Sequence, residues 1–182
     1  LARPALLPAT TLAKGALPPA TASVDVAVVR ARGEAAISGA RGPRVGNLVH
    51  QLLQYAPTFL PDDPSLEPLV HALAGRLSAS EEERGAALAR VRKALAHPAF
   101  QALRDALEVR REQTVVLPAD RYAYGTVDVA YRDAEGWVVV DYKSDADPIA
   151  DGRLASYREQ LALYTAAFAG AGATVRAIIL LV

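Results

Sequence analysis

Cysteine is absent from the 182 residues, and so is methionine. Without cysteine the chain has no disulfide, no thiolate zinc site, no iron–sulfur cluster and no cysteine nucleophile. Without methionine, and with Leu1 in first place, it lacks an initiator residue; the expectation is a processed piece or excised domain of a longer polypeptide. Lysine is scarce. Lys14, Lys93 and Lys143 are the only three among 20 basic residues. Arg stays protonated to above about pH 12, whereas Lys is a compact and tunable ammonium, so a lysine on a strand stands out against this background. Net charge is missing too, because 20 basic residues balance 20 acidic ones. That argues against a free-standing, charge-driven nucleic-acid binder, though it leaves room for a local basic groove. No run of about 18 apolar residues occurs, so no membrane span or membrane partner is expected. Neither a secretory signal nor a transit-peptide pattern opens the chain, and the expected location is cytoplasmic.

What is present is ordinary for a globular protein, with 52% hydrophobic and 22% charged residues. The length suits one well-packed domain. Residues 1–43 are rich in Ala, Pro and Gly, and Pro4, Pro8, Pro18 and Pro19 break any helix. They read as a connector from an upstream domain, with Val24 to Val29 either a short strand or a surface segment. The folded domain is expected over 44–182, mainly helical to 111 and β-β-β-α-β from 112 onward. Val45, Leu48, Val49, Leu52 and Leu53 follow helical spacing until Pro57. A second helix spans about Ser65 to Leu77. Ser80 with Glu83 forms a capping box for a third, which Pro98 ends. Pro98 then opens a helix carrying Phe100, Leu103 and Leu107.

Beyond this point the period shortens to that of strands. Thr114 to Leu117 reads as a short strand, and Tyr124 to Tyr131 and Trp137 to Tyr142 form a hairpin across a five-residue loop from Arg132 to Gly136. A helix follows from about Arg153 to Phe168, then a buried strand from Val175 to Val182.

Period-two reading of the hairpin isolates one constellation. Asp128 shares a face with Thr126 and Ala130, while Asp141 and Lys143 share a face and flank Tyr142. An antiparallel hairpin can bring Asp128, Asp141 and Lys143 to one place. Neighbouring carboxylates in an apolar sheet repel and lose hydration, and a divalent cation removes that penalty by using both as ligands. Such a site suits phosphodiester hydrolysis, with Lys143 orienting water or offsetting developing charge. The plainer alternative is a surface ion pair between Asp141 and Lys143.

These residues resemble a family. Gly125-Thr126-Val127-Asp128, Val140-Asp141-Tyr142-Lys143-Ser144 and the helical Tyr157-Arg158-Glu159-Gln160-Leu161-Ala162-Leu163-Tyr164 are similar, in that order, to motifs of PD-(D/E)XK nucleases of the RecB/AddA type. Upstream, Gly46-Asn47-Leu48-Val49-His50 resembles the family's G-x-L-[VI]-H helix, and Arg111-Glu112 its R-E-x-P-F lead-in, with Gln113-Thr114 in place of the apolar–proline pair. The resemblance covers roughly Arg44 to Val182. It implies an α/β fold with a restriction-endonuclease-like core, order α-β-β-β-α-β, a mixed central sheet flanked by helices and an extra helical insertion. It implies a metal site of Asp128, Asp141 and the Tyr142 carbonyl, with His50 and Glu112 joining and Glu108 the substitute for Glu112. Lys143 serves the nucleophilic water, Gln160 holds the Asp–Lys strand end or a phosphate, and Tyr164 contacts the same region. Gln160 also has a reason of its own to be singled out, because an amide on a core-facing stripe needs partners. Tyr157 and Tyr164 otherwise read as packing, and His71 and His97 as structural or surface residues.

The function implied is a Mg²⁺-dependent deoxyribonuclease, with Mn²⁺ as substitute. It would act as an exonuclease on single strands delivered by UvrD-like helicase domains of the same polypeptide, in double-strand break repair and recombination, with a second helicase–nuclease subunit as a further partner. Two other readings stay open: a catalytically inactive nuclease-like module that binds DNA or scaffolds a helicase complex, and a free-standing phosphodiesterase or restriction-type enzyme.

Overall fold

The computed structural model describes residues 7–8, 26–30, 39–117, 123–144, 152–169 and 174–182. Six strands and five helices are found among them. In chain order they are β1 (Leu7–Pro8), β2 (Val26–Arg30), α1 (Pro43–Tyr55), α2 (Leu66–Arg76), α3 (Glu81–Leu95), α4 (Pro98–Arg104), β3 (Glu108–Leu117), β4 (Ala123–Asp133), β5 (Gly136–Lys143), α5 (Leu154–Phe168) and β6 (Val175–Leu181). The strands form one mixed sheet in the order β1-β4-β5-β6-β2, with β3 paired to β4. β3–β4 and β4–β5 are antiparallel and β1–β4 is parallel. β6 runs parallel to β5: Trp137 N–H donates to the Thr174 carbonyl, and six residues on, the Val182 N–H donates to the Lys143 carbonyl. This is the α/β architecture expected of a restriction-endonuclease-like core. Among the described residues no helix is long and apolar enough to cross a membrane.

By compactness the chain divides into two units. The first contains Leu1–Val28, Leu107–Asp141 and Ala146–Ile179; the second contains Val29–Ala106, Tyr142–Asp145 and Leu180–Val182. The helices α1 to α4 bury enough apolar surface to form a core of their own. Val45, Leu48, Val49, Leu52 and Leu53 line the inner face of α1, and Leu66, Val70, Val91, Leu95 and Phe100 are buried with them. Each such side chain contributes about 1.5–3 kcal/mol on burial.

Local chemistry sets the helix ends. Pro43 occupies the first turn of α1, where its missing N–H costs nothing. The Ser80 hydroxyl accepts from Glu83 N–H at 3.2 Å and the Glu83 carboxylate accepts from Ser80 N–H at 2.8 Å, the expected capping box. Pro98 opens α4 as expected, and His97 caps it through Nδ1, which accepts from Ala99 N–H. Leu107 lies outside α4 and is exposed, because its N–H is drawn to the Arg132 carbonyl beside the start of β3.

A cap that the sequence did not announce is Asp63. Its carboxylate accepts from Thr58 Oγ1 at 2.5 Å, from Ser65 N–H at 2.8 Å and from Ser65 Oγ at 2.6 Å, fastening the turn before α2. The hydrogen bonds from the Ser65 side chain, then Thr58, then the Ser65 backbone lower its pKa from 3.8 to about 2. Because the folded-state pKa is depressed, the stabilisation is present above 3.8 and is lost as pH falls through about 2. An Asp63→Asn variant is therefore expected to melt below the parent at pH 5, with the gap closing as pH approaches 2. Melting curves across that range check it; a gap that persists undiminished at pH 2 contradicts it.

Three expectations need correction. The hairpin loop is two residues, Ala134 and Glu135, because Arg132–Trp137 and Asp133–Gly136 still pair. Asp133 Oδ1 accepts from the N–H groups of Glu135 and Gly136, and Gly136 takes φ 136°, which suits the tight turn. The first core strand begins at Glu108 rather than Thr114. Its early residues are charged, yet they pair by backbone, as an edge strand can, and Arg110 lies 4.7 Å over the Trp137 ring. Finally, the connector reading of residues 1–43 is too broad, since β1 and β2 both enter the sheet.

Candidate active site

Asp128, Asp141, Glu112, Gln160 and Tyr164 lie in the first unit. The β4–β5 ladder pairs Asp133 with Gly136 and continues to Val129 with Val140. The pairing ends there, and Asp128 and Asp141 are the next residues beyond it on the two strands. Asp141 is only 5% exposed and Asp128 is half-buried. Val127, Val129, Tyr131, Val138 and Val140 alternate with them and are buried, which fixes the register against a slip.

Glu112 belongs to the same row. The β3–β4 ladder pairs Arg111 with Val129 and Gln113 with Val127, skipping the position between, where Glu112 stands across from Asp128. Glu112 has φ 47°, a left-handed backbone inside a strand and a strained state for a residue with a Cβ. Such a residue breaks the two-residue alternation. Among the described residues, no three His, Asp or Glu side chains are gathered closely enough to hold an ion. The row is thus continuous in the backbone, but Glu112 is not assembled with the two aspartates into a three-donor cluster.

A helix covers this face. Trp137, Val139, Asp141 and Lys143 alternate onto one side of β5. The Trp137 ring packs on Phe168 of α5 at 5.2 Å. Tyr164 and Gln160 lie one and two turns before Phe168 on the same stripe, carried along the strand toward the carboxylates. Gln160 Nε2 donates to the Tyr164 hydroxyl at 2.8 Å. Burial raises the Tyr164 phenol above its ordinary value of 10, and the negative charges of Asp141 and Asp128 push the same way. The Gln160 hydrogen bond and the Thr126 backbone partly offset this, so Tyr164 is a protonated phenol near neutrality. The amide of Gln160 thus meets Tyr164, and it is Tyr164 that reaches β4.

The remaining candidates lie in the second unit. His50 is half-buried on α1, its ring 6.1 Å from that of Tyr142 in an edge-on contact. Tyr142 is buried and also stacks on Phe100 at 6.0 Å. A side chain at Gly46 would come within 2.7 Å of Ser144 Oγ, so the small residue lets α1 approach the end of the Asp-Tyr-Lys-Ser run. Lys143 is half-buried, two residues beyond Asp141 on β5, and its backbone carbonyl is tied to Val182.

Residues 27–181 match the family model described as the PD-(D/E)XK nuclease superfamily. The chain belongs to that superfamily. A comparison with curated proteins gives no match. The matched region begins at β2, in keeping with the entry of that strand into the sheet. PD-(D/E)XK proteins are generally metal-dependent nucleases, and the donor set here fits a hard divalent cation. Asp128 and the buried Asp141 would supply oxygen ligands, and the chain has no thiolate to favour a softer metal. Gly125 is a letter of the Gly-Thr-Val-Asp motif, whose spacing does not reveal its contact with Tyr164. Its presence inside a strand was the available signal, since glycine there marks a close approach.

Proposed function

We propose that this PD-(D/E)XK protein is a Mg²⁺-dependent deoxyribonuclease, with Mn²⁺ as substitute, that hydrolyses phosphodiester bonds. The observation that carries the reading is the antiparallel β4–β5 ladder, whose last pair, Val129 with Val140, leaves Asp128 and Asp141 next on the two strands, with Lys143 two residues further along β5. Asp128 and Asp141 would hold the cation, which when bound would supply an acidified water and charge neutralisation at the phosphate. The Lys143 ammonium steadies negative charge as it develops on the phosphate. Tyr164, kept protonated and held by Gln160, braces β4 beside Asp128. Glu112, the Tyr142 carbonyl and His50 remain proposed ligands on the strength of the motif resemblance.

The resemblance to nucleases of the RecB/AddA type extends the proposal to a single strand of DNA as substrate, exonucleolytic action, and helicase domains in the same polypeptide working in double-strand break repair and recombination. A chain of zero net charge suits a domain that receives its strand from a motor rather than attracting DNA over long distances. The test is cleavage of an end-labelled single strand by the full-length protein with Mg²⁺ or Mn²⁺. Lys143→Ala is expected to lower the rate by about 10²–10³-fold, and Asp128→Ala to leave no cleavage. Undiminished metal-dependent cleavage in both variants overturns the assignment.

A further inference from the structure

A side chain at position 125 has no room. A Cβ placed there would lie 2.5 Å from Tyr164 Cε1, 2.7 Å from its hydroxyl oxygen and 2.9 Å from Cζ. Neither side of this contact is free to withdraw. The strand is fixed because Val115 pairs with Gly125 and Thr114 with Thr126 across the β3–β4 ladder. The ring is fixed because Tyr164 is 3% exposed, shares its buried stripe with Leu161 and Phe168, and is hydrogen-bonded at its tip to Gln160. Thr126 is two residues before Asp128 on the same strand, so whatever steadies its amide steadies the carboxylate beyond it.

We propose that Gly125 is a positioning residue: its missing side chain leaves a notch for the Tyr164 ring, and the seated Tyr164 holds β4 so that Asp128 keeps its place at the end of the β4–β5 ladder. Gly125 touches neither metal nor substrate; it acts through Tyr164. The proposal rests on the nuclease reading, and two readouts separate them. Mn²⁺ affinity, measured by electron paramagnetic resonance on the full chain, reports the carboxylate pair. Deuterium uptake at the Thr126 amide reports the hold of Tyr164 on the strand without reference to metal.

Gly125→Ala is expected to weaken Mn²⁺ binding about 10–100-fold, the usual effect of losing a partner that orients a ligand, and to speed exchange at Thr126. Tyr164→Phe, which keeps the ring but removes its hydroxyl, is expected to shift both readouts in the same direction and gives the answer if Gly125→Ala fails to fold. In a Tyr164→Leu background, adding Gly125→Ala is expected to change Mn²⁺ affinity by less than about twofold, because the two residues act as one unit. Wild-type-like Mn²⁺ affinity or Thr126 exchange in both Gly125→Ala and Tyr164→Phe overturns the notch, as does additivity of the two substitutions. Mn²⁺ binding that Asp141→Asn leaves unchanged overturns instead the nuclease reading, and with it the metal-positioning role of Gly125.

Discussion

Replacing Asp141 with Asn is expected to lower metal-dependent cleavage by about 10³-fold or more and, in the absence of metal, to raise the melting temperature. The two effects have one cause. Asp141 is 5% exposed, and it and Asp128 are the residues just beyond the last β4–β5 pair, Val129 with Val140. In the metal-free protein, burial strips water from one carboxylate while its neighbour repels it. Asn keeps the shape and removes the charge. Relief of about 1 kcal/mol would raise the melting temperature by about 2–4 °C for a chain of this size. Metal should reverse the order, since a cation at 100 times its dissociation constant adds about 2.7 kcal/mol to the protein that binds it. Melting curves of parent and variant in chelator and in Mg²⁺, alongside cleavage rates, check both halves. A variant that is less stable than the parent in chelator, or that cleaves normally, contradicts this reading of Asp141.

Phe100→Ala is expected to be the most destabilising single change in the helical unit, at about 3–5 kcal/mol. Phe100 is fully buried and its ring lies 6.0 Å from both Phe59 and Tyr142. Truncation removes two aromatic contacts and leaves a cavity that fixed neighbours cannot close. Such a loss is a large share of the 5–15 kcal/mol by which a domain is typically stable. Tyr142 sits between Asp141 and Lys143, so freeing its ring should also lower cleavage under conditions where the variant is folded. Phe100→Leu, which keeps most of the volume, should cost much less. Urea unfolding of the three proteins provides the comparison, and a loss below about 1 kcal/mol for Phe100→Ala would show that the cavity collapses.

Helix positions were legible because their signals are local. The capping box at Ser80, the proline at the head of α4 and the apolar stripe of α1 depend on residues within a turn or two of each other. The hairpin carrying Asp128 and Asp141 was legible for the same reason, since period-two alternation and a Gly-ended turn sit in one short stretch. Its loop was read too long because Arg132 and Asp133 look like turn residues, while backbone pairing ignores their charge. The charged start of β3 was hidden likewise: edge-strand residues need only backbone partners on one side. Glu112 illustrates a different limit. Its motif position was visible, but its left-handed φ belongs to the folded backbone, which no spacing reveals. The Gly125–Tyr164 contact and the Asp63 cap are also tertiary facts, each between residues whose meeting depends on how elements or loops close.

The most direct test is an anomalous-scattering map from a crystal of the protein soaked in Mn²⁺. A strong peak bridged by one oxygen from each of Asp128 and Asp141 is the expected result. Manganese bound elsewhere with that pair left bare, or the two carboxylates turned to opposite faces of the sheet, would contradict the proposed active site.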